Sequence, residues 1–373
     1  MKVALLLMGG GARAAYQVGV LRALREVLGH PVRNPFPILC GTSAGAINAT
    51  TLAMHARDFS AGIDDLLDVW SNFRARKVYR VDPVGIARSG ARWLSAFMFG
   101  WLVRQNPRAL FDNGPLGELL RARLDLARIQ DAIDHEALYA LSITAFGYES
   151  GESISFFQAN EAAQSWSRTQ RAGARTQLTI EHLLASSAIP FCFPAVKIHR
   201  EYFGDGSLRQ VAPISPAIHL GADRVLVIGV ANRTKQARQH VEGYPSPAQI
   251  GGHILSSIFL DSLEMDIERM QRVNKTVRMI PDGVLRENNV QLRSIDVMLI
   301  EPSERLDQIA TRHVQALPWT VRALLRGIGA MNKGGSALAS YLLFEPGYAN
   351  ALMELGYRDA MRSGTALAKF VAD

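Results

Sequence analysis

The chain has 373 residues, which is enough for two or three domains or for one large α/β domain with additions. Hydrophobic residues make up 48% of it and charged residues 20%, values that exclude disordered, collagen-like and disulfide-scaffold proteins. The net charge is +7, and the two cysteines, Cys40 and Cys192, cannot form a disulfide framework or a paired-cysteine metal site, which fits a reducing, cytoplasmic compartment.

The N-terminal apolar run, Lys2 to Met8, is too short for the hydrophobic region of a signal peptide, and we interpret it as a buried first strand. Other short apolar runs also predict strands: Pro37 to Cys40, Ala140 to Phe146, Ser153 to Gln158, Arg224 to Val230 and Ile295 to Ile300. Helical spacing alternates with them, over Ala15 to Leu28, Ala44 to His55 and His253 to Arg272. This alternation predicts an α/β fold with a mainly parallel sheet covered by helices.

Residues 74–108 combine eight basic residues with one acid, so this segment accounts for the whole net charge. The segment also holds large rings: Tyr79, Trp93, Phe97, Phe99 and Trp101. Cations beside apolar rings suit an anionic lipid surface or a nucleic-acid backbone. The alternative is a packed helix with solvated arginines at its flanks, because residues 93–103 are apolar nearly all round. We predict a cap-like insertion that contacts anionic membranes peripherally and binds no nucleic acid.

The chain offers no run of 18 apolar residues, and the nearest candidate, Trp93 to Val103, is interrupted by Ser95. We therefore expect a protein that is not integral to a membrane. Beyond Pro302 the pattern becomes helical, without an internal repeat or an obvious linker. This predicts one domain over residues 1–305 and a helical extension packed on it over residues 306–373.

The strongest local motif is Gly41-Thr42-Ser43-Ala44-Gly45, a G-x-S-x-G between a predicted strand and a predicted helix. A nucleophilic serine has to project from a sharp turn at the carboxyl edge of a sheet, and flanking glycines leave room for that turn and for the substrate. The alternative is a turn of small residues that only leads into a helix. The strand-turn-helix setting favours Ser43 as a nucleophile.

A second glycine motif, Gly9-Gly10-Gly11-Ala12-Arg13, follows the first strand directly. Read as Gly9-x-Gly11-x-x-Ala14, it fits a dinucleotide fingerprint, but the second strand ends without the acid that such a site needs. The other interpretation is an oxyanion hole, in which the N–H groups of Gly10 and Gly11 act beside that of Ala44. This interpretation explains both glycine motifs together.

The serine also needs a base, and two kinds are available. The histidines that follow Ser43 lack a loop signature that would mark a catalytic triad: His182, His199, His219, His253 and His313. Asp205 lies between Gly204 and Gly206, where small neighbours let a carboxylate approach another group. An ordinary Asp-Gly turn is the alternative for that position.

Together these motifs resemble the patatin-like phospholipase family of lipid acyl hydrolases. The glycine run Gly9 to Arg13 resembles the family's oxyanion loop, Gly41 to Gly45 its nucleophile elbow, and Asp205-Gly206 its Asp-Gly motif, in the family order. Leu110 to Leu116 and Ala185 to Pro194 also resemble family segments. The similarity extends from Lys2 to about Val230 and is weaker over Ile295 to Ser303.

The resemblance implies a three-layer α/β/α fold and a Ser43–Asp205 dyad that cleaves acyl esters of phospholipids or lysophospholipids, without a histidine, a metal or a cofactor. Ser43 would form an acyl-enzyme, Asp205 would act as base within hydrogen-bond reach, and Gly10, Gly11, Ala44 and Arg13 would form or orient the oxyanion hole. Because a free aspartate is a weak base, the site should be dry. Apolar neighbours that could keep it dry and bind an acyl chain are Phe191, Phe193 and Phe203.

One position departs from the family pattern: Ser207 stands where glycine or alanine usually follows Asp-Gly. Its hydroxyl could bond Asp205 and change the basicity of that carboxylate. Three alternatives to the dyad stay open: a Ser-His-Asp esterase, a nucleotide-binding protein that uses the glycine loop, and a lipid-binding protein without catalysis.

Overall fold

The structure is a computed structural model that describes residues 1–85, 91, 109–231, 247–281, 284, 287, 292–327, 329–330 and 336–372, with the backbone alone for residues 247–249 and 252–261. Most of the segment 74–108, for which we predicted a cap-like insertion, lies outside the described residues. Of that segment, residues 74–85 and 91 are described. The expectation was wrong for Tyr79, which is completely buried against Phe111 and Phe193 and cannot contact a membrane. For the rest of the segment the membrane role stays a prediction.

The centre of the described chain is one ten-stranded sheet. Its strands are β1 (Val3–Leu7), β2 (Ile38–Thr42), β3 (Ala140–Gly147), β4 (Ser153–Ala159), β5 (Trp166–Arg168), β6 (Arg171–Arg175), β7 (Val196–Ile198), β8 (Glu201–Asp205), β9 (Arg224–Ile228) and β10 (Asp296–Ile300). Along the main path their order is β10-β9-β1-β2-β3-β4-β6-β5, while β8 pairs with both β3 and β7. The first five strands of that path are parallel, and β4 and β8 are antiparallel to β3. The sheet is thus mainly parallel, as the sequence predicts.

Helices cover both faces of the sheet, because alternate residues of the central strands belong to two different cores. Leu5 and Leu7 of β1 point into the larger core, whereas Leu6 points into the smaller one. The larger core packs α1 (Ala15–Val27), α2 (Ala44–Met54), α3 (Phe59–Ser71), α4 (Ala75–Val78), α5 (Gly114–Arg123), α6 (Ala127–Asp134) and α7 (Ile180–Ser186). The smaller core packs α8 (Ser215–His219) and α9 (Pro247–Val277). The result is the expected three-layer α/β/α fold.

The C-terminal residues form further helices on the same face as α1. They are α10 (Leu306–His313), α11 (Trp319–Gly327), α12 (Ser336–Leu342), α13 (Pro346–Arg362) and α14 (Gly364–Ala372). Their buried side chains belong to the larger core, with Leu352 and Leu355 of α13 at most 1% exposed. These helices therefore share a core with the N-terminal half, while a domain boundary at residue 305 stays a prediction.

In the described part of the chain, no helix combines sufficient length with sufficient hydropathy to span a bilayer.

Candidate active site

Ser43 lies at the sharp turn between β2 and α2, at the carboxyl end of a central parallel strand. Its backbone has φ 56° and ψ −132°, a conformation that is strained for a residue with a side chain. Such strain costs about 1–3 kcal/mol and persists only where the surrounding structure enforces it. The side chain is 1% exposed. This is the geometry of a nucleophile elbow.

Close packing of α2 against β1 explains the glycine that ends the G-x-S-x-G motif. A Cβ at Gly45 would collide with the backbone carbonyls of Leu7 and Met8. The first turn of α2 can lie this close to β1 only because position 45 has no side chain. The glycine therefore fixes where the helix begins and with it the direction of Ser43.

Strand pairing places Asp205 next to Ser43, although 162 positions separate the two residues in the chain. Thr42, just before the serine, is in register with Thr144 of β3. The next residue of β3, Ala145, is in register with Asp205 at the end of β8. Neighbouring strand ends thus place the hydroxyl and the carboxylate at the same edge.

The Asp205 carboxylate is almost completely buried, with 1% exposure. Burial raises the pKa of Asp205 to about 6, although hydrogen bonding from Ser43 and from Ser207 opposes the rise. The Ser207 N–H donates to Oδ1 at 2.9 Å. Oδ2 has no partner of ordinary hydrogen-bond geometry among the described residues.

A third serine, to which the sequence analysis gave no role, holds the elbow in place. The Ser43 N–H donates to Oγ of Ser186 at 2.9 Å, and that hydroxyl donates to the carbonyl of Thr144 at 2.6 Å. Ser186 is completely buried at the end of α7. It lies in the family-like run Ala185 to Pro194, and that run was the only sequence signal that pointed to it.

The glycine loop lies beside the elbow. Gly11 has φ +54° and begins a short 3-10 helix, Gly11–Ala14, that leads into α1. Among the described residues, the N–H groups of Gly10, Gly11 and Ala44 donate to no protein acceptor. Gly11, Ser43 and Ala44 line the same cavity. Free N–H groups around the nucleophile are what an oxyanion hole requires.

The Arg13 side chain points away from that loop and is 5% exposed. Its guanidinium donates to Ser340 at 2.8 Å, to the hydroxyl of Tyr341 at 3.2 Å and to the carbonyl of Ala337 at 3.4 Å. It also lies 4.0 Å from the centre of the Tyr341 ring. In this arrangement Arg13 joins the glycine loop to α12, so it would influence Ser43 only through the position of that loop.

An apolar cavity opens beside Ser43, with about 760 Å³ of empty space up to its mouth. Its walls come from α2, α3, α5 and the C-terminal segment, with Trp70, Phe73, Phe193 and Phe344 as the aromatic lining. A cavity of this shape and polarity suits an acyl chain.

Of the three phenylalanines that we expected around the site, only Phe193 lines this cavity. Phe191 is 70% exposed and lies at a turn with a backbone φ of 63°. Phe203 packs against Phe156 at a centroid distance of 5.3 Å. The expectation was wrong for the lining role of Phe191 and Phe203, since the alternation of β8 and the turn at residue 191 could not be inferred from composition.

Three of the histidines that follow Ser43 have other partners, and His199 is exposed in the turn between β7 and β8. The His182 ring bonds Thr179 in the cap of α7, and burial lowers its pKa to about 4. The His219 ring stacks on Trp166, and His313 lies against Tyr348. Among the residues whose side chains are described, no histidine hydrogen-bonds Ser43 or lines the cavity. The side chain of His253 lies outside the described part.

Two solved structures resemble the fold at low identity. The match to VipD from Legionella pneumophila has a TM-score of 0.39 and 14% identity, and covers 98% of this chain and 67% of that one. The match to ExoU in complex with SpcU, from the type III secretion system of Pseudomonas aeruginosa, has a TM-score of 0.27 and 15% identity, and covers 91% of this chain and 70% of that one.

Sequence comparison gives a firmer assignment. A Pseudomonas aeruginosa protein described as a cGAMP-activated phospholipase is 27% identical over 210 residues. The aligned part is 56% of this chain and 53% of that protein, so the chain spans about half the length of this relative. The family model for patatin-like phospholipase matches residues 5–218, which hold the glycine loop, the elbow and Asp205. The chain therefore belongs to the patatin-like phospholipase family.

Proposed function

We propose that the chain is a lipid acyl hydrolase in which Ser43 and Asp205 act as a catalytic dyad on phospholipids or lysophospholipids. The observation that carries this proposal is the pairing of a strained, buried Ser43 with a buried Asp205 whose pKa is raised to about 6. A carboxylate with that pKa is a better general base than a free aspartate at neutral pH. Membership of a phospholipase family supports the lipid substrate.

In the first half of the reaction, Oγ of Ser43 attacks the ester carbonyl and passes its proton to Asp205. The N–H groups of Gly10, Gly11 and Ala44 stabilise the negative oxygen of the tetrahedral intermediate. Collapse of the intermediate breaks the bond to the alcohol, which leaves with the proton from Asp205. The acyl group stays on Ser43 as an ester.

In the second half, Asp205 takes a proton from a water molecule as the water attacks the acyl-enzyme. The second tetrahedral intermediate releases the fatty acid, and the proton returns from Asp205 to Oγ of Ser43. The apolar cavity beside Ser43 would hold the acyl chain through both steps, because its lining is mainly aliphatic and aromatic.

The alternatives have less support. A Ser-His-Asp triad needs a histidine at Ser43, but His182, His219 and His313 have the other partners given above and His199 is exposed. For nucleotide binding the glycine loop would have to receive a pyrophosphate, yet Gly11 lines the same apolar cavity as Ser43. A protein that binds lipid without catalysis would not need the strained backbone at Ser43.

The proposal is tested by labelling the full chain with a fluorophosphonate probe and by assaying a panel of phospholipids and lysophospholipids. We expect the probe to label the wild type and not Ser43→Ala, and the same substitution to abolish fatty-acid release. As matched controls, His182→Gln and His219→Gln should keep labelling and hydrolysis. Labelling that persists in Ser43→Ala, or loss of hydrolysis in a histidine variant, would rule out the dyad.

A further inference from the structure

A second cavity lies between the β3–β6 part of the sheet and the helices α8 and α9. It has about 900 Å³ of empty space up to its mouth and is lined by fifteen described residues. Four of the fifteen are arginines and none is acidic: Arg168, Arg171, Arg209 and Arg269. Most of the other lining residues carry hydroxyl or amide groups. The chemistry of this cavity is therefore opposite to that of the apolar cavity at Ser43.

The four guanidinium groups are poorly neutralised by the described part of the chain. Arg168 donates to the backbone carbonyl of Ser167, and Arg209 donates to that of Gly151. Nε of Arg171 is buried and has no partner among the described residues. Such a donor costs free energy when left unpaired, and an acceptor bound in the cavity would remove that cost.

One described acid, Asp266 of α9, faces this cluster. Burial raises its pKa, and the charges of Arg269 and Arg171 oppose the rise. Asp266 is 6% exposed, accepts the N–H of Ile214 at 3.0 Å and does not line the cavity. It offsets no more than one of the four positive charges, so a clear positive excess remains in the cavity.

We propose that this cavity binds a small anion that carries two or more phosphate groups. Guanidinium groups form paired, charge-assisted hydrogen bonds to phosphate oxygens, and hydroxyl and amide donors complete such sites. The positive excess is more than one phosphate group would need. The Trp166 ring is stacked between Phe157 and His219, so its faces are not free for a base and recognition has to come through the phosphates.

The cavity also reaches the far side of the catalytic elbow. Its lining residue Gln210 bonds Oγ1 of Thr42 at 2.9 Å, one residue before the nucleophile. Its lining residue Arg209 ends the 3-10 helix Gly206–Arg209 that starts directly after Asp205. A bound anion would hold Arg209 and Gln210 in one position and so change the rate of ester hydrolysis. This second step rests on the proposed function, whereas the binding site does not.

Isothermal titration calorimetry of the full chain with inorganic pyrophosphate at low salt measures the affinity of the proposed site. Each lost charge-assisted bond is worth about 1.5–3 kcal/mol, so Arg171→Gln and Arg269→Gln should each weaken binding by about 10- to 100-fold. Arg272→Gln is the matched control, since Arg272 lies one turn from Arg269 on α9 and pairs with Glu268 outside the cavity. No saturable binding to the wild type, or equal losses in all three variants, would overturn the proposal.

Two further experiments identify the source of the anion and test its effect on hydrolysis. If vesicles that contain phosphatidylinositol bisphosphate displace pyrophosphate, the natural source is a lipid headgroup, and if only soluble inositol phosphates displace it, the source is a free phosphate ester. Ser43→Ala should bind pyrophosphate as the wild type does, whatever becomes of the hydrolase proposal.

Saturating pyrophosphate should change the hydrolysis rate of the wild type at least threefold and leave that of Arg269→Gln unchanged. An unchanged wild-type rate would remove the coupling to the elbow.

Discussion

At the residue scale, the buried carboxylate of Asp205 would make the proposed ester hydrolysis depend on pH, because Asp205 is the proposed base. Its pKa of about 6 means that the base is ionised at neutral pH and protonated in mild acid. We expect kcat/KM for a soluble ester to be constant above about pH 7 and to fall about tenfold per pH unit below about pH 6. A pH titration of the wild type checks this. A transition that a histidine substitution removes would contradict it.

Replacing Asp205 by asparagine tests its proposed role as base, because an amide cannot accept the proton. Asp205→Asn keeps the shape of the side chain and should lower kcat by about 10²- to 10⁴-fold, the usual contribution of a general base. Ser207→Gly is the matched comparison: it removes a hydroxyl that holds the Asp205 pKa down, so it should shift the pH profile and leave most of the activity. Steady-state kinetics on both variants decides the point. Near-wild-type activity of Asp205→Asn would contradict the dyad.

Asp205 should also reduce the stability of the fold. In the unfolded chain its pKa is about 3.9, and in the folded chain it is about 6. Between these values only the folded state keeps the proton, so the free energy of unfolding falls as pH rises from about 4 to about 6. At about 1.4 kcal/mol per pH unit the loss is about 3 kcal/mol.

Asp205→Asn should therefore raise the free energy of unfolding at pH 7 by up to about 3 kcal/mol and have little effect at pH 4. Urea denaturation at the two pH values measures the difference. If Asp205→Asn destabilises the chain equally at both pH values, the packing and hydrogen bonds of Asp205 stabilise the fold by more than the burial of its charge destabilises it.

At the scale of elements, the short backbone distance between α1 and α13 fixes the C-terminal helices to the core. A Cβ at Gly19 of α1 would collide with the backbone carbonyl of Met353, and one at Gly356 of α13 with that of Tyr16. The two helices can therefore approach at the level of their backbones, which lets α13 cover one face of α1.

Gly19→Ala should lower the free energy of unfolding by about 1–3 kcal/mol, the usual cost of overpacking, although alanine forms helices better than glycine. Gly251→Ala in α9 is the matched control, because a Cβ there meets no described atom within 4 Å. That control should be neutral or stabilising by up to about 1 kcal/mol. Equal changes in both variants on chemical denaturation would mean that helix propensity, and not packing, sets the result.

Sequence periodicity located the elements that bury apolar side chains. The six predicted strands all appear, each shifted by at most two residues at either end, because central strands are apolar on both faces. Four strands were missed. The strands β5 and β6 are polar and lie at the sheet edge, and β7 and β8 are a short antiparallel pair of three and five residues beside β3. The second cavity lies at the edge formed by β5 and β6. Because the polar composition of these strands gave no strand signal, the cavity could not be predicted either.

In the candidate site, too, some residues could be predicted from the sequence and others could not. Ser43 and Asp205 were predicted because each lies in a short motif whose local backbone the sequence specifies. The roles of Ser186 and Phe344 could not be predicted, because they depend on contacts with Ser43 and with the cavity wall across 143 positions and more. Local motifs carry the chemistry, whereas the groups that position and surround it are set by the tertiary structure.

At the scale of the whole molecule, the distribution of charge predicts a membrane-facing side. Residues 74–108 carry eight basic residues and one acid, and the rest of the chain is balanced. A lipid hydrolase has to reach substrate in a bilayer, and each basic residue near an anionic surface contributes about 1 kcal/mol to adsorption. The segment lies between α3 and α5, both of which line the apolar cavity at Ser43. A basic cap at this place would bring the cavity mouth to the lipid surface.

Neutralising Arg88, Arg92 and Arg104 together to glutamine should thus weaken binding to anionic vesicles by about 100-fold at low salt, which corresponds to about 3 kcal/mol. At 1 M salt the screening length falls to about 3 Å, and wild type and variant should bind alike. The matched control removes the same charge elsewhere by changing the paired surface arginines Arg57, Arg272 and Arg358 to glutamine. Vesicle sedimentation compares the three proteins. If the control loses as much binding as the 88/92/104 variant, net charge alone drives adsorption and the segment has no special role; if neither loses any, the segment is ordinary structure.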